Sequence, residues 1–279
     1  MFEQEREHEM LDLAMVDLRK LNSLTKYPSI PTHHALDPKN GGLLEQPTAY
    51  TGPVIGTEKV DGTNGRIILL PGGEWLIGSR EDLLTARGDI VRNPALGIVD
   101  ALRAVAEQAA TLGTGGFGEI VVLYLEVYGG KQLPAWKHYG SGKPAYRMFD
   151  VATIPDDMLA WEVERIASWR QAGGQDFASE SVLADLAKRC GVDLTPRLFE
   201  IDGGDIPASV EDMRGFLEPY KTTTVATSGE PGLNEGVVLR SPDRSVISKA
   251  RFQDYDRTLK RRQKGAPRRQ PADRSGEAS

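Results

Sequence analysis

Apolar residues recur along this chain with two different periods, and the period changes between its ends and its middle. Short runs rich in β-branched and aromatic residues, bounded by turn residues, predict strands at 54–60, 65–70, 74–80, 119–128, 145–153, 197–200, 235–241 and 245–252. Apolar residues at helical spacing predict helices at 5–22, 93–112, 156–171, 179–190 and 207–217. Because strands dominate both ends of this order, the pattern favours an α+β fold on antiparallel sheets with flanking helices over a parallel doubly wound sheet.

The predicted elements divide the chain into three parts. An N-terminal helix and lead-in occupy 1–26, and a single domain follows at 27–256, beginning with a loop at 27–53 that is rich in Pro, His, Gly and Asn. After Phe252 the chain becomes basic. We therefore expect 257–279 to form a basic, disordered tail.

Composition is that of an ordinary globular protein. The 279 residues carry a formal net charge of −6, so any surface for nucleic acid must be local. The one cysteine, Cys190, excludes an intramolecular disulfide and a cysteine-based zinc site, and the four histidines lack metal-ligand spacing. The charged N-terminus is unlike a secretory signal, and no apolar run reaches the roughly 20 residues that span a bilayer. We expect a cytoplasmic protein with no membrane partner.

Lys59 lies just before a turn-forming run, in the stretch GTEKVDGTNGRII of residues 56–68. Asp-Gly between two strands is a strong hairpin signal, which indicates a surface lysine beside an ordinary turn. A lysine at a strand end can also be a nucleophile, provided that an apolar site or a cation such as Mg²⁺ favours its neutral form. This stretch alone leaves both interpretations open and favours the hairpin.

Four further segments favour a nucleotide site. Glu126 interrupts an apolar strand, where a carboxylate is unfavourable unless it is paired or functional. Phe149 occupies a strand position from which its ring can stack on a base, and Glu235 begins another apolar strand. Lys249 and Arg251 emerge on one face of a strand, an arrangement that suits a triphosphate between them. With the lysine, these residues form the set that a nucleotide-plus-metal pocket requires.

Five segments in a fixed order resemble motifs I, III, IIIa, IV and V of the covalent nucleotidyltransferases, which include ATP-dependent DNA ligases, RNA ligases and mRNA capping enzymes. They are EKVDGTN at 58–64, YLEVYGG at 124–130, YRMFDV at 146–151, EGVVLR at 235–240 and SKARF at 248–252. The resemblance extends from about residue 55 to 255. It implies the nucleotidyltransferase fold, which is the fold of ligase adenylation domains.

Within that superfamily, the chain resembles RNA ligases of the bacteriophage RNA ligase 2 type. Asn64 occupies the position five after the lysine, where DNA ligases and capping enzymes have arginine. Arg80 matches an arginine that this family has downstream of motif I. The residues after Phe252 are too few for an OB-fold. Motif V departs from the usual Lys-x-Lys, because Lys249 is followed by Arg251, which holds phosphate as a planar fork.

The resemblance implies an ATP-dependent RNA ligase. Lys59 would attack the α-phosphorus of ATP to form lysyl-AMP, the AMP would pass to a 5′-phosphate RNA end, and a 3′-hydroxyl would then displace it. Glu235 would hold Mg²⁺ or Mn²⁺, with Glu126 as a second metal ligand or as the ligand of the ribose hydroxyls. Phe149 would stack on adenine, and Lys249 would contact the α-phosphate as the third catalytic residue. The resemblance assigns the remaining nucleotide-binding positions to Glu58, Asn64, Arg80 and Arg251.

Two alternatives remain open beside the ligase. One is a polynucleotide 5′-adenylyltransferase without efficient sealing, and the other is a catalytically silent nucleotide- or RNA-binding module. The basic tail after Phe252 is either a grip for RNA phosphates or a solvated end. The C-terminal domain of the phage enzyme has no counterpart here, so a partner protein is a candidate to supply its function.

Overall fold

Three sheets organise the computed structural model, which describes residues 13–86, 89, 90, 92, 95–113, 119–133 and 135–265. The strands are β1 His34–Leu36, β2 Leu43–Pro47, β3 Pro53–Lys59, β4 Thr63–Leu69, β5 Trp75–Ser79, β6 Leu83–Ala86, β7 Asp89–Ile90, β8 Glu119–Tyr128, β9 Ala145–Pro155, β10 Asp176–Phe177, β11 Arg197–Asp202, β12 Gly236–Arg240 and β13 Ile247–Arg251. The α-helices of the described residues are α1 Leu18–Thr25, α2 Ile98–Leu112, α3 Trp136–Tyr139, α4 Val163–Gln171, α5 Glu180–Cys190, α6 Val210–Leu217 and α7 Phe252–Gly265.

Neighbouring strands run antiparallel in every sheet. A seven-stranded sheet has the order β10-β9-β8-β4-β5-β6-β7, a four-stranded sheet has the order β11-β3-β12-β13, and β1 pairs with β2. The predicted α+β class with antiparallel sheets and flanking helices is confirmed. In the part of the chain that the structure describes, no helix combines the length and the apolar character needed to cross a membrane.

Both faces of the large sheet are buried. Ile67 and Leu123 face a core formed with α2 and α5, whereas Ile68 and Val122 face a second core that includes Leu21 of α1. Successive residues of a strand point to opposite faces, so the central strands β4 and β8 need apolar residues at consecutive positions. This double burial explains the unbroken apolar runs that predicted these strands.

The four-stranded sheet buries one face and leaves part of the other for a site. Val54 of β3 and Leu239 of β12 pack with Met213 of α6 and Tyr255 of α7. The alternate residues of the same strands, among them Lys59, point to the opposite face. The sheet therefore separates a packed core from the groove between the two sheets.

The Asp-Gly turn after Lys59 does not form a hairpin, so that interpretation is wrong. The strand before it, β3, pairs with β11 and β12, and the strand after it, β4, pairs with β5 and β8. The turn is a crossover from one sheet to the other. A hairpin and a crossover can have the same turn sequence, because distant segments of the chain determine which strands pair. Hairpins do form between β4 and β5 and between β12 and β13.

The N-terminal helix differs from the prediction of 5–22, part of which lies outside the described residues. A 3-10 turn at Leu13–Met15 precedes α1, which begins only after Asp17, because the Asp17 side chain accepts hydrogen bonds from two backbone N–H groups at 2.9 and 3.2 Å. Leu21 and Leu24 of α1 are fully buried against the large sheet. The helix is therefore part of the domain core and not a separate lead-in.

Two other predicted helices are shorter than expected. The range 156–171 divides into a 3-10 turn at Asp156–Ala160 and α4, because Trp161 between them adopts an extended backbone conformation. The described part of the range 93–112 forms α2 only from Ile98 onward, after two residues with left-handed backbone conformations. In both ranges the apolar sequence pattern continues across residues whose backbone conformation interrupts the helix.

Two segments expected to lack regular structure contain it. The predicted loop at 27–53 includes the two strands β1 and β2. The predicted disordered tail at 257–279 is wrong for its first part, because α7 continues to Gly265; the remainder lies outside the described residues. Tyr255 and Leu259, which pack in the core of the four-stranded sheet, show the helical spacing that anchors α7.

A buried ionic cluster joins the two large sheets. Asp150 of β9 accepts hydrogen bonds from Arg244 Nε at 2.7 Å and from the Tyr27 hydroxyl at 2.8 Å, and Arg240 of β12 lies 3.7 Å from its other oxygen. Arg244 occupies the turn between β12 and β13 with a left-handed backbone φ of 65°. Such a conformation is unfavourable for arginine and persists where surrounding contacts determine it. We call these four residues the Asp150 cluster.

We expect Asp150→Ala to lower the free energy of unfolding by about 3–5 kcal/mol, because it leaves the buried Arg244 without its carboxylate and Arg240 with only Glu180, 3.7 Å away. Equilibrium urea unfolding measures this loss. Asp176→Ala on β10, an exposed aspartate, is the matched control and should change stability by less than about 0.5 kcal/mol. Equal losses in the two variants would contradict a structural role for the cluster.

Candidate active site

A cleft of about 380 Å³ lies between the two large sheets, where the chain crosses from β3 to β4. Its volume falls in the range of about 300–1,000 Å³ that is typical of ligand pockets. The structure brings together all the residues that the sequence analysis assigned to the site. The cleft is lined by Glu58, Lys59, Asn64, Arg80, Glu126, Phe149, Glu235, Lys249 and Arg251, among others.

Lys59 and Glu235 form an ion pair inside the cleft. The Lys59 ammonium donates a hydrogen bond to Glu235 Oε2, and both side chains are about one-fifth to one-quarter exposed. Arg251 Nη1 lies 3.8 Å from the other oxygen of Glu235, and Arg251 Nε donates to Asp254 at 2.8 Å. Asp254 is buried, so it holds Arg251 in position from behind the cleft. One carboxylate thus lies between two cations.

Lys249 adds a third cation whose backbone is held on both sides. Its N–H donates to the Pro31 carbonyl at 2.9 Å, and its own carbonyl accepts from the His33 N–H at 2.8 Å. Burial lowers the pKa of Lys249, and the nearby charges of Arg251 and Lys59 lower it further. Among the described residues, no carboxylate lies within ion-pairing distance of Lys249. Three cations at one wall of the cleft make it a site for an anion.

The crossover itself is held by backbone hydrogen bonds. The Asp61 N–H donates to the Tyr139 hydroxyl at 2.7 Å, and the Gly62 N–H donates to Glu126 Oε1 at 3.1 Å. A Cβ atom at Gly62 would lie 2.3 Å from the Val127 carbonyl oxygen, so only glycine allows this close approach of the two strands. The turn therefore sets the position of the lysine that precedes it.

Glu126 is a carboxyl group with an unusual environment. Burial, the larger effect, and the neighbouring Glu235 raise the pKa of Glu126 to about 7, although Lys59 acts in the opposite direction. Asn64 lies opposite Glu126 in the register of β4 and β8, and its Oδ1 atom is buried with no hydrogen-bond partner in the described structure. Asn64 and Glu126 thus lie side by side in the cleft.

Two carboxylate side chains suit a hard divalent cation. Glu126 and Glu235 both line the cleft. No group of three or more His, Cys, Asp or Glu side chains among the described residues is arranged to enclose a metal ion. Mg²⁺ is typically bound by one or two carboxylates together with substrate phosphates, and this donor set fits that pattern.

Phe149 presents its ring to the cleft from a fixed position. The ring packs edge-on against Tyr27, with centroids 5.1 Å apart and planes at 86°. Tyr27 in turn donates its hydroxyl hydrogen to Asp150, next to Phe149 in β9. Burial, followed by the charge of Asp150, raises the pKa of Tyr27, so the hydroxyl remains a neutral donor. The Asp150 cluster thus orients the aromatic wall of the site.

Two residues assigned to nucleotide binding occupy different environments from the rest. Glu58 lines the cleft, but its carboxylate accepts hydrogen bonds from Thr223 Oγ1 and from the Thr224 N–H and hydroxyl, the last two at 2.9 and 2.7 Å. Strand alternation explains this difference, because the Glu58 side chain lies on the face of β3 that packs against the core. Arg80 is two-thirds exposed and lies 3.7 Å from Glu81, so it forms part of the rim.

Several lining residues had no signal in the sequence. The segment 27–30 belongs to the predicted loop, yet it lines the cleft because the residues after it pair with Lys249. Thr195, Arg240 and Ile247 also line the cleft. Of these, only Arg240 had a detectable hint, as a charge that ends an apolar strand. The sequence analysis singled out neither Asp150 nor Asp254, which support the site, although Asp254 lies three residues from both Arg251 and Arg257.

Solved structures of an RNA ligase from Naegleria gruberi share this fold. An apo variant aligns with a TM-score of 0.56 at 13% sequence identity, over 83% of this chain and 57% of that one. A variant with ATP and Mn aligns with a TM-score of 0.54 at 12% identity, over 83% of this chain and 57% of that one. Another variant with ATP and Mn has a TM-score of 0.51 at 13% identity, over 76% and 52% of the two chains. This chain thus spans little more than half the length of those ligases.

Sequence comparison supports the same assignment. No curated protein sequence gives a significant match to this chain. A sequence model of the RNA ligase family matches residues 52–261, which is most of the chain and includes every motif quoted above. The resemblance to RNA ligases of the nucleotidyltransferase type is confirmed. The chain belongs to the RNA ligase family.

Proposed function

We propose that the protein is an ATP-dependent RNA ligase that acts through a covalent lysyl-AMP intermediate. The observation that carries the proposal is the Lys59–Glu235 pair, which lies in a ligand-sized cleft beside Lys249 and Arg251. Family membership, and a fold shared with a ligase solved with ATP and Mn, support a nucleotide and a divalent cation as ligands. Because this chain spans only part of that ligase, activity as a whole ligase is itself proposed.

Lys59 is the nucleophile of the first step. Its ammonium first releases a proton to solvent, and Glu235 orients the resulting amine through the hydrogen bond seen at Nζ. The nitrogen bonds to the α-phosphorus of ATP as the bond from that phosphorus to the pyrophosphate oxygen breaks, and the nitrogen releases a second proton. Lys249 and Arg251 stabilise the negative charge on the phosphates and on the leaving pyrophosphate.

The nucleoside is held by the other wall of the cleft. The Phe149 ring, oriented by Tyr27, stacks on adenine. Glu126 would accept hydrogen bonds from the ribose hydroxyls or, together with Glu235, would hold the divalent cation. When bound, Mg²⁺ or Mn²⁺ neutralises charge on the phosphate oxygens.

The remaining steps transfer AMP to RNA and seal the ends. An oxygen of the RNA 5′-phosphate attacks the α-phosphorus, the nitrogen–phosphorus bond breaks, and Lys59 is regenerated. A 3′-hydroxyl then attacks the RNA 5′-phosphorus, a phosphodiester forms, its proton goes to solvent, and AMP leaves. Asn64 in the cleft and Arg80 at its rim are the residues that we assign to the incoming RNA end.

We expect the wild-type protein to acquire label from α-³²P-ATP and Mg²⁺ that survives denaturation, and Lys59→Ala to acquire none, because the substitution removes the nucleophile. Gel autoradiography after denaturation measures the label. Lys143→Ala, which removes an exposed lysine outside the cleft, is the control and should retain full labelling. Unlabelled wild type, or equal label on Lys59→Ala, would rule out the covalent mechanism and leave a nucleotide-binding module.

We expect the labelled protein to pass AMP to a 5′-phosphorylated RNA and then to join it to a 3′-hydroxyl end, because the three steps share one cleft. Denaturing electrophoresis separates the adenylylated strand from the longer joined product. Nicked duplexes and single strands, in RNA and in DNA, provide the comparison of substrates. An adenylylated strand that accumulates and never joins would instead identify a polynucleotide 5′-adenylyltransferase.

We expect the Glu126 carboxyl to titrate with a midpoint near pH 7 without metal and at lower pH with Mg²⁺. Burial favours its protonated form, so it is about half-protonated at pH 7, and a bound cation favours the ionised form. Side-chain ¹³C NMR of glutamate-labelled protein measures both midpoints, and the signal missing from Glu126→Gln identifies the resonance. A midpoint near 4.5, or one that Mg²⁺ leaves unchanged, would contradict a role in metal binding.

A further inference from the structure

A row of cations follows the solvent face of α7. Arg257, Lys260, Arg261 and Lys264 are exposed and recur every three or four residues, which places them on one side of the helix. The opposite side is buried in the core around Tyr255. The row covers seven residues and therefore about 10 Å along the helix axis. We call these four residues the α7 stripe.

Most of the charge on the stripe has no acidic partner. In the described part of the chain, Lys260 and Lys264 form no ion pair. Asp256 of the same helix is occupied by Arg214, whose Nε donates to it at 2.7 Å. The protein as a whole carries a net charge of −6, so an unbalanced row of cations is a local exception. Its positive potential favours a polyanion.

The two arginines of the stripe are held in place. Arg257 donates to the Gly41 carbonyl at 2.9 Å and to Asp254 at 3.0 Å. Arg261 donates to the Asn40 carbonyl at 2.7 Å, a neutral partner that leaves its charge uncompensated. Both contacts reach the turn between β1 and β2, which fixes the orientation of the helix. The stripe is therefore a formed surface and not a set of independent side chains.

The stripe is linked to the cleft through Asp254, which accepts hydrogen bonds from Arg251 in the cleft at 2.8 Å and from Arg257 at 3.0 Å. Arg257 lies five residues beyond the start of α7, about 8 Å of axial rise, and Lys264 lies about 18 Å from that start. Because α7 packs on the face of the four-stranded sheet opposite to the cleft, a strand whose end occupied the cleft would pass the edge strand β13 to meet these cations.

We propose that the α7 stripe binds the phosphate backbone of the RNA strand whose end reacts in the cleft, an inference that rests on the proposed ligase function. A 10 Å row corresponds to about three phosphates at the 3.4 Å spacing along one strand of a stacked duplex. The contacts are with phosphates and carry no base specificity.

The test uses Lys260→Ala/Lys264→Ala in the full chain. Both side chains are exposed and without ion pairs, and alanine favours the helix, so the fold should remain intact. The matched control is Lys188→Ala/Arg189→Ala on α5, which packs on the face of the large sheet opposite to Asn64. Circular dichroism melts check that both proteins are folded.

Fluorescence anisotropy with a labelled, 5′-phosphorylated single-stranded RNA measures binding without ATP or Mg²⁺. We expect the stripe variant to bind on the order of 10-fold more weakly at 0.1 M salt, with the control unchanged. The slope of log affinity against log salt should fall by about 1.4, because each phosphate contact with a single strand contributes about 0.7. Lys260→Glu/Lys264→Glu should weaken binding further.

Labelling by α-³²P-ATP separates this inference from the proposed function. The stripe variants should label like wild type, because the first step needs no RNA, while RNA joining falls. If the stripe variants have the same RNA affinity and salt slope as the control variant, the stripe does not bind RNA. Binding of an acidic protein to the stripe would not change that conclusion. If the wild-type protein takes no label, the ligase proposal fails. The comparison of RNA affinities then still shows whether the stripe binds RNA.

Discussion

The buried carboxylate of Asp150 determines how the two large sheets meet. It lies in β9 of one sheet and binds Arg244, in the turn beside β12 of the other, while Tyr27 brings in the chain that follows α1. A buried charge is tolerated only when it is paired and hydrogen-bonded, so these groups have little freedom to separate. The cleft is the space that remains between sheets joined in this way, and both its aromatic and its cationic walls are attached to the cluster.

Opposite charges balance the interior of the cleft. Three cations, Lys59, Lys249 and Arg251, face the two carboxylates Glu126 and Glu235, and Lys249 and Glu126 both have pKa values displaced towards the neutral form. A triphosphate with a divalent cation carries both signs of charge and matches this arrangement. Under the proposed function, the nucleotide and the divalent cation would complement these fixed charges, as charged ligands do in preorganised sites.

Prediction from the sequence succeeded where the signal was local and repeated. The strands β4 and β8 are buried on both faces, and their apolar runs identified them. The motif residues were identified as a set, and all of them line one cleft. The crossover after Lys59 was missed because a turn signal does not specify strand partners. The helix α7 was missed because its many charges obscured the apolar spacing of Tyr255 and Leu259. Asp150 contacts partners that are distant in sequence, so no local pattern indicates them, whereas Asp254 contacts arginines three residues away on either side.

Asp254 connects two regions that have been described separately. One of its oxygens accepts a hydrogen bond from Arg251 in the cleft, and the other accepts one from Arg257 on α7. A phosphate that draws one arginine away leaves more of the carboxylate's charge to the other. Under the proposed function, an anion on the helix and an anion in the cleft would then be thermodynamically coupled, each changing the affinity for the other by the same factor. A single buried aspartate thus links the position of an arginine in the cleft to that of an arginine on α7.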